Sequence, residues 1–155
     1  MIVHGSHYLG FEGVLGTLEN VASLMALLDE SLTSGNREGF VNAKATKGLK
    51  IIFDEIQHAL DAVICEGKDG GYLASEVPSS VYLDILDNLH DLGAVVAFMS
   101  DVLTVLPPHH SLGQKAIDGL NSLLVRGSET VETACRMIEE QAGNGLAVTG
   151  KAACA

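Results

Sequence analysis

Residues 79–142 read SSVYLDILDNLHDLGAVVAFMSDVLTVLPPHHSLGQKAIDGLNSLLVRGSETVETACRMIEEQA, and this stretch decides the fold class. In its first half, Tyr82, Ile85, Leu89, Leu92, Val96, Met99, Leu103 and Leu106 recur at alternating spacings of three and four. That is the repeat of a helix packed along its whole length. Asp84, Asp87, Asn88, Asp91 and Asp101 fall outside the stripe, so one face is apolar and the other polar. Ser79 or Ser80 is placed to cap the first amides. Pro107 and Pro108 lack an amide hydrogen and disfavour helical backbone in the residue before each, so the helix stops and the chain turns through Leu106-Pro107-Pro108-His109-His110.

The second half resumes the same rhythm with Ile117, Leu120, Leu124, Val131, Ala134 and Ile138. Ser111 and Gln114 stand three apart, the spacing of a reciprocal helix cap. Gly113 and Gly127 share the apolar stripe, where small residues permit a close helix neighbour. Gly127-Ser128 is also the candidate point for a bend. The whole stretch reads as one antiparallel helical hairpin.

Working outward, Val14, Leu18, Val21, Met25, Leu28 and Leu32 predict a helix over residues 14–34, its apolar face broadened by Leu24 and Leu27 and its end set by Gly35-Asn36. Leu49, Ile52, Phe53, Ile56, Leu60 and Val63 predict another, ending near Gly67. Lys44, Lys47 and Lys50 suit a first turn poorly, because the helix dipole disfavours cations there. The expected start is therefore earlier, at residues 37–41, with Ala45 and Gly48 continuing the inner face. Two hairpins, residues 14–66 and 80–142, joined by a glycine-rich loop containing Pro78, predict an all-α fold: an antiparallel up-and-down four-helix bundle built from two long helical hairpins. Residues 1–142 form its single domain, and residues 143–155 a flexible tail rich in glycine and alanine.

Composition fits this reading. A chain of 155 residues is long enough to bury a substantial core, and 47% hydrophobic residues with 5% aromatics and no tryptophan make that core aliphatic. The net charge of -11 argues against nucleic acid and anionic membranes as partners, since both would be repelled. The first 16 residues lack a basic lead and a long apolar run, and no stretch is expected to cross a bilayer, which places the protein in the cytoplasm. Cys65, Cys135 and Cys154 show no paired spacing, and the first two are expected as small packing residues in a reducing compartment.

Chemistry is harder to find. Bundles of this kind can hold two metal ions with a Glu from each of two helices and Glu-x-x-His from the other two. Glu55-Ile56-Gln57-His58 has that spacing and Asp87-Asn88-Leu89-His90 approaches it, with Glu19 and Glu132 on the remaining helices. Stepping about 100° per residue turns Glu55, His58 and Asp87 away from their own apolar stripes, and those stripes contain no carboxylate, so no metal site is expected. His4 and His7 lack a third ligand nearby. Gly10, Gly13 and Gly16 lack the lysine and hydroxyl residue of a phosphate loop. His90-Asp91-Leu92-Gly93 shares part of the His-x-Leu-Lys-Gly pattern of histidine phosphotransfer, without the lysine and with Asp87 and Asp91 placed to repel a phosphoryl group.

No catalytic residue, cofactor or metal is therefore expected. What is left over is apolar area outside the narrow seams: Leu24, Leu27, Val95 and Phe98 form the candidate interaction surface. Phe40, Val41, Leu73, Val77 and Val81, beside loops and helix ends, add to it. The expected function is non-catalytic protein-protein interaction, by a small homodimeric adaptor or regulator whose partners are itself and another protein. The lysines at 44, 47 and 50 face an acidic third helix in charge and would orient one chain against another. Alternatives are a small-molecule or metal-binding bundle and a phosphotransfer protein, both using His90.

Overall fold

The computed structural model describes residues 9, 11–34, 40–68, 70–107 and 109–151, with the side chains of residues 34, 40 and 145–151 left aside. The chain is all-α. Its helices are α1 (Phe11–Ser34), α2 (Ala43–Lys68), the single-turn α3 (Tyr72–Glu76), α4 (Ser79–Val105) and α5 (Gln114–Lys151). Two short strands, β1 (Phe40–Val41) and β2 (Leu112–Gly113), pair antiparallel with Phe40 opposite Gly113 and Val41 opposite Leu112.

The apolar stripes of the long helices are buried as their spacing requires. Val14, Leu18, Val21, Met25, Leu28 and Leu32 of α1 meet Ile117, Leu120, Leu124, Val131, Ala134 and Ile138 of α5 in one core with Phe53, Ile56 and Leu60 of α2 and Ile85, Leu89 and Val96 of α4. The most extensive packing joins α1 to α5 and α2 to α4, and the sequence neighbours α1 with α2 and α4 with α5 share smaller contacts. Thus helices expected to pack chiefly as hairpins lean more on partners distant in sequence. Gly127 of α5 is one reason: a Cβ there would lie 2.8 Å from Met25 Sδ and 3.1 Å from Leu92 Cδ1, so the absent side chain lets α5 come in against α1 and α4. α5 runs unbroken through Gly127-Ser128, so no second helical piece is capped there. Gly113 plays no such part, having nothing within 4 Å of a Cβ.

Helix ends depart from expectation in instructive ways. α1 begins at Phe11, a turn early, taking in Gly13 and Gly16. The stop expected at Gly35-Asn36 lies outside the described residues, as do His4, His7 and Cys154. α2 starts at Ala43, later than residues 37–41, because Asn42 caps it: Asn42 Oδ1 accepts the Ala45 amide at 2.9 Å. Such a cap contributes about 1 kcal/mol, enough to offset lysines beside the dipole's positive end. The inner position in that first turn is buried Thr46, with Ala45 exposed. α4 is entered through Pro78, which has no side-chain cap bond to offer, so neither Ser79 nor Ser80 caps it. The reciprocal cap at Ser111 and Gln114 is absent as well: Leu112-Gly113 is drawn into the strand pair, and Gln114 Nε2 donates forward to Asp118 Oδ1 at 2.7 Å. α5 continues past Ala142 to Lys151, so the boundary expected there is no break in the helix; no proline interrupts residues 143–151.

By length and hydropathy α1 is able to cross a membrane, contrary to expectation: residues 11–33 form a 23-residue span with a window hydropathy of 1.3. Its apolar residues are not uniform round the helix, however. Val14, Leu18 and Val21 are fully buried against the core, while Glu12, Glu19 and Glu30 are exposed. A one-sided stripe is the mark of a core helix.

Candidate functional site

Two polar clusters and one apolar stripe stand out against this frame. At the end of α2, Glu66 lies 4% exposed, an inward carboxylate that the sequence reading did not anticipate. It is fully engaged. Oε2 accepts the Leu9 amide at 2.8 Å and Oε1 the Tyr72 amide at 2.6 Å, while the Glu66 carbonyl accepts the Gly71 amide at 3.1 Å. Glu66 therefore ties the segment before α1 and the start of α3 to the end of α2. Gly70 at φ +75° makes the turn that brings Tyr72 back, and Gly71 leaves room for the carboxylate. Tyr72 and Phe11 meet ring to ring at 5.5 Å, closing the same end. The signal was present: continuing the inner series Ile52, Ile56, Ala59, Val63 by three reaches Glu66.

The second cluster bridges α2 and α4. Asp54 accepts hydrogen bonds from Lys50, one turn earlier, and from the buried hydroxyl of Ser100 across the interface. The Lys50 hydrogen bond first, then that of Ser100, holds the Asp54 carboxyl below its ordinary 3.8. Nearby, the Tyr82 hydroxyl donates to the Gly67 carbonyl at 2.5 Å, joining the last turn of α2 to the first turn of α4. These bonds tie α2 to α4.

The residues considered for metal or phosphoryl chemistry do not converge. Glu55, His58, Asp87 and His90 are all exposed, and among the described residues no group of three His, Cys, Asp or Glu side chains is placed to hold a metal ion. The apolar crevice between Met25, Phe53, Leu92, Val96 and Leu124 encloses about 10 Å³, room for barely one water and no ligand. Cys65 is exposed and Cys135 half-buried; burial first, then Glu19, Glu139 and Glu132, pushes the Cys135 thiol up to about 11.

The apolar candidates divide. Val95 and Phe98 lie one turn apart on α4, 38% and 65% exposed, and Val105, seven residues beyond Phe98, is 79% exposed. On α1, Leu27 is 57% exposed, whereas Leu24 is partly buried against the core. α1 and α4 are not among the closely packed pairs, so the α1 and α4 candidates do not form one continuous face. Of the loop-side residues, Val41, Leu73 and Val77 are buried and Val81 packs on the core. Their expected role as spare surface is overturned: the strand pair buries Val41 beside Leu112, and α3 folds Leu73 and Val77 inward. The side chain of Phe40 lies outside the described set.

No protein-family model, no curated protein and no solved structure matches the chain.

Proposed function

We propose that the chain is an up-and-down four-helix bundle, with α3 as a cap, that acts without catalysis as a protein-binding module in the cytoplasm and assembles with a second copy of itself through the outer face of α4. The bundle reading is supported by which ends meet. The start of α1 lies by the end of α2 through Leu9 and Glu66, the end of α2 by the start of α4 through Gly67 and Tyr82, and the end of α1 by the start of α5 through Thr33 and Asn121. In such a bundle α1 is a core helix and no membrane partner is required.

The observation that carries the binding reading is the stripe Val95, Phe98 and Val105. A phenylalanine 65% exposed forgoes much of the 1.5–3 kcal/mol that full burial provides, roughly, and a spacing of three and seven keeps all three on one helix flank. A second copy is favoured because three of the helix's four aspartates, Asp84, Asp87 and Asp91, stand in its first half, while Val95, Phe98 and Val105 stand in its second with Asp101 as the one acidic residue beside them. A two-fold axis near Phe98 sets apolar half against apolar half and holds the acidic halves apart. Another protein bound in turn is the adaptor role.

The test is Phe98→Asp examined by native mass spectrometry and light scattering over a concentration series. A dimeric parent and a monomeric variant of equal helicity are expected. A parent that stays monomeric, or a variant that still dimerises, overturns the reading.

A further inference from the structure

Where α2 begins and α4 ends, a cavity of about 270 Å³ opens between Thr46, Lys47 and Lys50 on one side and Leu103, Leu106 and His110 on the other. We propose that this cavity binds a small amphiphilic carboxylate, with its hydrocarbon part on Leu103, Leu106 and Pro107 and its charged head between Lys47 and Lys50. The site is separate from the Val95, Phe98 and Val105 stripe, none of which lines it, and does not depend on dimerisation.

The two kinds of wall set the chemistry of the ligand. The apolar back comes from the last turn of α4 and the proline that ends it, and the cationic rim from the first two turns of α2. In a chain of net charge -11 with nine Lys and Arg residues, three of the nine, Lys44, Lys47 and Lys50, fall within seven positions. Lys44 stands in the first turn, where the helix dipole works against a cation, and α2 has no acidic residue in that turn. Lys50 has a partner one turn on, but among the described residues Lys47 makes no ion pair, and an anion in the cavity would supply one. Lys50 already holds Asp54, which fixes its direction along the interface, and Lys47 stands exposed on the rim. The volume lies just under the range of roughly 300–1,000 Å³ for drug-sized pockets, which limits the occupant to a short chain.

Octanoate is the probe, titrated into the full-length protein and followed by amide chemical shifts. Saturable shifts at Thr46, Lys47, Leu103 and His110 are expected, weakened at least about tenfold by Lys47→Glu and retained in Lys47→Arg, as loss of one charge-assisted contact implies. Lys47→Ala serves as a second variant should charge reversal disturb the helix, and helicity is checked for each. Octylamine tests for binding by apolar contact alone and inorganic phosphate for binding by charge alone. The proposal is overturned if octanoate gives no saturable shifts, if octylamine or phosphate matches it in affinity, or if Lys47→Glu and Lys47→Ala both bind as the parent does.

Discussion

At the scale of single residues, the glycines and the buried carboxylate separate positions that look alike in sequence. Gly127→Ala forces Met25 and Leu92 to move and is expected to destabilise by about 1–3 kcal/mol, as overpacking does. Gly119→Ala, in the same helix with nothing within 4 Å, is expected to stabilise by about 0.5–1 kcal/mol. Urea unfolding of the two variants checks both signs. Glu66→Ala strips the half-buried Leu9 and Tyr72 amides of their acceptor, and is expected to destabilise by about 1–3 kcal/mol in all. Equal midpoints for Glu66→Ala and the parent would remove Glu66 from its structural role. At Cys135 a thiol near 11, against the ordinary 9.0, leaves about 100-fold less thiolate at pH 8. Iodoacetamide mapped by peptide mass is accordingly expected to label exposed Cys65 long before Cys135.

At the scale of elements, the α2·α4 interface contains one contact that depends on acid. Asp54 titrates below 3.8 in the folded chain because Lys50 and Ser100 donate to its charged form, so unfolding takes up a proton on the acid side. Its contribution is full above about 3.8 and is lost as pH falls through the lower folded value. Asp54→Asn is expected to flatten stability against pH below 4 and to leave the slope near neutrality unchanged, as denaturant midpoints at a series of pH values would show. The rhythm of α4 and α5 was legible because each long stripe repeats many times, even though the outer side of α4 also carries exposed Leu83, Val95, Phe98 and Val105. The start of α2 was not: the choice lay between lysines near a dipole and one asparagine cap, two effects of similar size. α3 and the strand pair were invisible for another reason. Five residues carry too little periodicity, and the pairing of Val41 with Leu112 is a contact across 71 positions that no local pattern announces. Glu66 was legible in spacing and missed by residue type, since a carboxylate reads as solvent-facing until the amides that satisfy it are in view.

At the scale of the whole molecule, the open choice is whether the four long helices close on each other within one chain or are exchanged between two. The side-chain bond from Asn121 Nδ2 to Thr33 Oγ1, 3.2 Å long, joins the last turn of α1 to the beginning of α5 across 88 positions. It lies between the two helices that pack most closely, so a covalent link there samples the topology itself. In a background with Cys65, Cys135 and Cys154 replaced by serine, Thr33→Cys with Asn121→Cys is expected to oxidise within a single chain and to run as a monomer without reductant. Closing so long a loop is expected to raise stability by about 2–4 kcal/mol. A covalent dimer from the same pair would mean that α1 of one chain packs on α5 of another, and the dimer proposed through Phe98 would give way to an exchanged one. The two outcomes differ at Phe98→Asp as well: a dimer held by the α4 stripe dissociates in that variant, and an exchanged dimer, held by the whole core, does not.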